Sequence, residues 1–149
     1  MDFSTAQART GFVANHAPKY GLDIAVVCAV IEQESDWYTF AYRYEPAFFN
    51  RYIAPQANLH SPSEAHARSA SFGLMQVMGQ VARELGFTGP SLLELTDPDI
   101  GVEYGCKRLQ QAFHRHGGDL ELSLLDYNGG GNPQYADQVI ARIQKYKGA

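Results

Sequence analysis

From Leu22 to Ser35 the chain runs through Ile24, Ala25, Val26, Val27, Cys28, Ala29, Val30 and Ile31, apolar on every face of a helix, before turning polar at Glu32, Gln33, Glu34 and Ser35. A helix with no polar side belongs in the middle of a domain. Before it, residues 3–17 place Phe3, Ala6, Thr10, Val13 and Ala17 at helical spacing and stop at Pro18 and Gly21, which predicts an amphipathic outer brace. After it, Phe72 to Gly86 resumes helical spacing. Pro98 to His116 predicts a longer helix with Ile100, Val102, Tyr104, Leu109 and Phe113 apolar and Gly117-Gly118 as its stop. A short helix from Leu120 to Tyr127, a turn at Asn128-Gly129-Gly130-Gly131 and a final helix from about Pro133 to Lys147 complete the series.

Residues 36–70 break the pattern. They are rich in aromatics, among them Trp37, Tyr42, Tyr44 and Tyr52, are punctuated by Pro46, Pro55 and Pro62, and have no helical period. They predict an irregular lobe with a short hairpin around Thr39–Tyr44. The expected fold is mainly α, about six helices around one buried helix with this small lobe beside them. The 149 residues suffice for one domain, 1–149, with a core of its own.

Composition narrows the partners. A 45% hydrophobic and 19% charged content is that of a globular chain. A formal charge of -4 argues against nucleic acid, since neutralising phosphates needs clustered Lys and Arg. The same charge counts slightly against an anionic polymer as substrate, although net charge says little about one groove. No apolar stretch approaches the roughly 20 residues that span a bilayer. Met1-Asp2-Phe3-Ser4 lacks the basic start and apolar run of a signal peptide, so a soluble product is expected, either made in the cytoplasm or trimmed at its start; a monomer is also expected.

Cys28 and Cys106 fall in apolar helical segments and read as buried small hydrophobes, with a disulfide left open. The five histidines show no metal-ligand spacing, so neither a metal nor another cofactor is expected.

A carboxylate that continues a buried stripe is costly unless it protonates, and a raised pKa is what a general acid at neutral pH requires. Glu34 lies three residues after Ile31 and seven after Val27; Glu32 likewise continues the stripe of Ala25 and Cys28. Spacing alone does not choose between them.

Four ordered segments add a resemblance. Ile31-Glu32-Gln33-Glu34-Ser35, then Phe72-Gly73-Leu74-Met75-Gln76-Val77-Met78, then Asp97-Pro98-Asp99-Ile100 with Gly105, then Asp126-Tyr127-Asn128-Gly129-Gly130 together resemble the motifs of the soluble lytic transglycosylase catalytic domain, a relative of goose-type lysozyme. The likeness extends from Leu22 to about Val139. It implies a lysozyme-like fold and, as substrate, the glycan strands of peptidoglycan.

By that resemblance Glu34 is the acid that protonates the oxygen between N-acetylmuramic acid and N-acetylglucosamine, and then accepts the C6 hydroxyl proton to leave a 1,6-anhydromuramic end. Ser35 is implied near the substrate N-acetyl group, Met75 and Gln76 on the cleft floor, Tyr127 hydrogen-bonded to the catalytic carboxylate, and Asn128 in contact with the glycan. Bland readings stand beside these: core packing for Met75, and a helix C-cap for Asn128 and Gly129. Gln76 is costly to bury unpaired. Asp97 and Asp99 read as caps of the following helix and Asp36 as a helix-end charge.

The chain departs from the family pattern after Ser35, where Asp36-Trp37-Tyr38 opens a longer aromatic segment. Its Tyr42-Arg43-Tyr44-Glu45-Pro46 resembles an Arg/Phe-Glu-Pro motif of some phage-type muramidases. Glu45 is then a candidate second acid that positions water and makes the enzyme a hydrolytic N-acetylmuramidase, or a surface glutamate paired with Arg43 or Arg51. Carboxyls roughly 6.5–9.5 Å apart suit inversion and roughly 5–5.5 Å retention. Trp37, Tyr42, Tyr44 and Tyr52 stack on sugar rings or form a small core of the lobe. A non-catalytic wall-binding or structural module would lack an intact acid and turn, and Glu34, Gln76 and Tyr127 count against it. The expected place of action is the cell wall, in the periplasm or outside, with release by a separate phage protein as one route.

Overall fold

The computed structural model describes residues 1–149. Helix α1 (Ala6–Val13) is capped by Thr5, whose side chain accepts from Ala8 N. A 3-10 turn at Ala17–Tyr20 then replaces the end of the predicted brace, because Pro18 cannot continue an α-helix. Helix α2 (Ile24–Ser35) begins where Asp23 accepts hydrogen bonds from Ala25 N and Val26 N. Val27 to Ile31 have no exposed surface, and α2 packs against α1 on one side and against the final helix on the other. The sequence prediction of a central buried helix holds.

Past α2 the backbone turns sharply, with Asp36 and Trp37 both at positive φ, 49° and 65°. The turn drives Trp37 back into the core, where its Nε1 donates to the Tyr146 hydroxyl at 3.0 Å. Trp37 is thus core and not a sugar platform. Strand β1 (Tyr42–Tyr44) follows, then the short helix α3 (Pro46–Phe48), a wide π turn at Phe49–Ile53, a 3-10 turn at Ala54–Leu59 and helix α4 (Pro62–Arg68). The predicted hairpin at Thr39–Tyr44 is not what forms. β1 instead pairs antiparallel with β2 (Ala70–Phe72), which pairs with β3 (Val77–Met78), giving a three-stranded sheet in the order β1-β2-β3.

The hairpin lies at Gly73–Gln76, inside the stretch whose apolar spacing predicts a helix from Phe72. Only Gly79–Glu84, helix α5, is helical there. Gly73 is at φ 74° and a Cβ on it would stand 2.6 Å from the Leu95 carbonyl oxygen, so the local backbone requires glycine.

Helix α6 (Pro98–Arg115) is capped by Asp97, helix α7 (Leu120–Asn128) by Asp119, and α7 ends on Gly129 at φ 83°. Helix α8 (Tyr135–Ile143) closes the bundle with Tyr135, Val139 and Ile143 on its buried face. The architecture is the mainly α one expected from the sequence, with the three-stranded sheet as the small lobe. Cys28 and Cys106 are both buried free thiols, each pushed by burial up to about 12. No helix is long and apolar enough to cross a membrane.

Candidate active site

Two open depressions meet at the end of α2 and together form a cleft between the bundle and the sheet. One, of about 830 Å³, runs past Tyr38, Phe40 and Tyr42 towards Arg142. The other, of about 520 Å³, runs past Arg43, Glu45 and Val81 to Tyr127, Asn128 and Tyr135. Gln33, Glu34 and Gln76 line both.

Glu34 stands in the last turn of α2, where the helix leaves the core. Burial pushes its carboxyl up to about 7, against the opposing pull of a hydrogen bond from Tyr135 and the positive charge of Arg43. Its Oε2 accepts from the Tyr135 hydroxyl at 3.3 Å. Glu32, on another face of the same turn, has the opposite fate. Burial also works against its charge, but Lys145 Nζ at 2.8 Å and the Tyr146 hydroxyl at 2.5 Å donate to it, with Arg142 and Arg9 close by, and its carboxyl falls below the usual range. Both carboxylates border the cleft, but the fold surrounds Glu32 with cations and leaves Glu34 with one neutral donor.

The second motif forms the cleft floor. Gln76 is held at φ 50°, an uncommon conformation for a residue with a side chain. Its Nε2 donates to the carbonyls of Ala41 and Gly73, both at 3.0 Å, which ties the hairpin turn to the segment before β1. Met75 has no exposed surface; a Cβ on Gly105 would stand 2.4 Å from its Sδ. The Met75 side chain therefore packs on α6 and does not line the cleft. Ser35 lines the cleft with its Oγ 2.8 Å from the Leu74 carbonyl oxygen and 3.1 Å from that of Ile31, one hydroxyl proton shared between α2 and the hairpin turn.

In the fourth motif the Tyr127 hydroxyl donates to the Met75 carbonyl at 2.6 Å, and the bond to Glu34 comes from Tyr135 instead. Burial, then the nearby charge of Glu34, keep Tyr127 well above the usual phenol value. Asn128 lines the cleft while its Oδ1 accepts from Asn132 N at 2.9 Å, closing the Gly129–Gly131 loop. Asp126, the first residue of the motif, is a structural anchor that accepts from Arg108, Arg115 and His116.

Glu45 lies in the same part of the cleft as Glu34, with its Oε1 held by Arg43 Nε at 2.8 Å, the surface pairing that the sequence leaves open. Tyr44 packs within the lobe instead, with its ring 5.8 Å from that of the exposed His66 and 6.2 Å from that of Phe49. Of the aromatics of the lobe, Tyr42 is half exposed on the cleft.

Sequence reasoning missed Tyr135 and Gln33, and had Arg43 only as a partner of Glu45. Tyr135 falls on the apolar stripe of α8 with Val139 and Ile143, where its ring reads as core and its hydroxyl gives no signal. Gln33 donates from Nε2 to Gln138 Oε1 at 2.9 Å, an atom also bonded by Asn132, so one amide network runs along the α8 side of the cleft.

The transglycosylase SLT domain family matches residues 12–147. Among solved structures, the lytic transglycosylase Slt of Pseudomonas aeruginosa, in an inactive form carrying a glutamate-to-glutamine change, superposes with a TM-score of 0.58 over 94% of this chain at 20% identity. The chain spans 21% of the length of that protein, so the likeness is one of fold.

Proposed function

The chain belongs to the transglycosylase SLT domain family, and from that premise we propose that it cuts the β-1,4 bond between N-acetylmuramic acid and N-acetylglucosamine in peptidoglycan, with Glu34 as acid and then base. The observation that carries the reading is the contrast at the end of α2. Glu32 and Glu34 both border the cleft, but Glu32 is paired with cations and held charged, whereas Glu34 is pushed up by burial to about 7 and has a single protein donor.

A carboxyl poised near neutrality supplies a proton at working pH and takes one back. Protonated Glu34 donates to the glycosidic oxygen as the bond from the muramic C1 breaks, and the bonding pair leaves with that oxygen. The C6 hydroxyl of the same muramic residue then bonds to C1 and gives its proton to the Glu34 carboxylate. A 1,6-anhydro end forms, no water is consumed, and Glu34 returns to its protonated state. Between the two transfers the Tyr135 hydroxyl supports the carboxylate. Gln76, Ser35, Asn128 and Tyr42 offer the polar and aromatic surface for the strand. Tyr127, at the end of the cleft, braces the floor by donating to the Met75 carbonyl.

A hydrolytic N-acetylmuramidase is the second reading, favoured by the presence of Glu45 in the same cavity. Its ion pair with Arg43 argues against a free base. Digestion of purified peptidoglycan, with strand ends read by mass spectrometry, separates the two: anhydro ends support the transglycosylase and reducing ends the hydrolase. Equal activity in Glu34→Gln would overturn both.

A further inference from the structure

The aromatic segment after β1, which the four motifs leave out, carries a separate depression of about 360 Å³ that shares no residue with the cleft. The rings of Phe48 and Tyr52 meet at 5.0 Å and 49°, over a floor supplied by Ile53. Tyr52 keeps half of its surface exposed. The guanidinium of Arg51 lies 5.1 Å from the Tyr52 ring centre and helps hold the ring in place. Around the rings stand Gln56, His60, Gln80 and Glu84.

Two of these are oriented in advance. Gln80 accepts from Arg68 Nη1 at 3.0 Å and donates to Glu84 Oε1 at 3.0 Å. Glu84 Oε2 has no hydrogen-bond partner in the protein, and neither do the Gln56 and His60 side chains.

A flat ring beside amides and a carboxylate is the chemistry that receives a pyranose: the C–H face of the sugar lies on the aromatic, and its hydroxyl and N-acetyl groups bond to the polar rim. An apolar peptide would leave the rim unpaired, and Glu84 repels a phosphate chain. The depression and the cleft are separate and border the same helix, α5. Val81 of α5 lines the cleft, while Gln80 and Glu84 of the same helix line the depression.

We propose that the Phe48–Tyr52 depression is a second saccharide site, which takes an N-acetylhexosamine unit of a glycan strand outside the cleft; the choice of ligand rests on the peptidoglycan reading above. The site would retain the enzyme on an insoluble polymer without taking part in bond cleavage.

Titration of the isotope-labelled chain with tri-N-acetylchitotriose, followed by amide NMR, tests it. Shifts are expected at Gln56, His60, Gln80 and Glu84, with Tyr52→Ala weakening that binding about three- to tenfold, Tyr52→Phe retaining it and Glu34→Gln leaving it unchanged. Because Tyr52 is half exposed, its truncation opens no core. Gln56→Ala, at an exposed position, should weaken binding as well, and cleavage of soluble strands should stay at the wild-type rate in both variants. Absence of shifts at these amides, or shifts indifferent to Tyr52→Ala, would overturn the proposal. A chain that cuts no peptidoglycan would overturn the cleft reading alone, because the titration does not depend on turnover.

Discussion

The hydroxyl of Tyr135 donates to Oε2 of Glu34 at 3.3 Å across 101 residues of chain. It comes from the first turn of the last helix to the last turn of the central one. A neutral phenol, held neutral by burial and by the Glu34 charge, is a donor that never competes for the carboxyl proton.

Tyr135→Phe removes a bond that favours the ionised carboxylate, so Glu34 should titrate higher. The alkaline limb of the pH–rate profile should move up by up to about one pH unit, the equivalent of a hydrogen bond of ~0.5–1.5 kcal/mol. A profile that stays in place would remove Tyr135 from the role given to it.

The folded pKa of Glu34, about 7 against an ordinary 4.5, also sets a stability trend. The folded protein holds this proton to higher pH than the unfolded chain. Its contribution is therefore neutral below about 4.5, turns unfavourable as pH rises through 4.5 to 7 and stays so above. The cost at pH 8 is about 3 kcal/mol. Glu34→Gln should be inactive yet melt higher than wild type at pH 8 and equal to it near pH 4, as calorimetry at the two pH values would show.

Glu32 has the opposite sign. Its carboxyl is held low despite burial by Lys145, Tyr146 and Arg142, so its stabilisation is present above the unfolded value and lost as pH falls through the folded one. Glu32→Gln should cost about 1–2 kcal/mol at pH 7, discounted for the half-exposed Lys145, and should flatten the acid limb of the stability curve. Denaturant titrations at pH 7 and pH 3 measure both effects.

Tyr127→Phe leaves the buried Met75 carbonyl without its donor and should cost about 1–3 kcal/mol of stability. Since the bond does not reach Glu34, the pH–rate profile should keep its position in surviving activity. A profile displaced as in Tyr135→Phe would contradict that division of labour.

Gly105→Ala would set a Cβ 2.4 Å from Met75 Sδ and 2.6 Å from its Cβ. Overpacking of this kind costs about 1–3 kcal/mol, and the shift passes to Gln76, the neighbour of Met75 on the cleft floor. Lower thermal stability and lower turnover should appear together.

What the sequence made legible follows the length of each element. α2 declares itself because eight consecutive apolar residues admit few other readings, and α6 because Asp97-Pro98 opens it and Gly117-Gly118 lies just past its end. Strands of two or three residues carry no period of their own. The apolar spacing of Phe72, Met75 and Val77 therefore fits a helix as well as the hairpin that forms. Glu34 could be singled out only through the four-motif resemblance, because the cations that neutralise Glu32 arrive from Arg9 at one end of the chain and from Arg142 and Lys145 at the other. Tyr135 was hidden because a buried tyrosine on an apolar stripe differs from phenylalanine by one atom.

The placement of Glu34 on the core helix makes the two walls of the cleft unequal in compliance. α2 is tied on both sides into the packed interior, so its amides should exchange with solvent deuterium only when the whole domain opens. The facing wall at Tyr42–Tyr44 is a three-residue edge strand carrying the exposed Arg43, and fluctuations that cost far less than unfolding can displace it. A polymer anchored at both ends cannot be threaded and has to be admitted from the side. With one rigid jaw bearing Glu34 and one yielding jaw opposite, a strand could be admitted without moving the carboxyl that we propose acts on it.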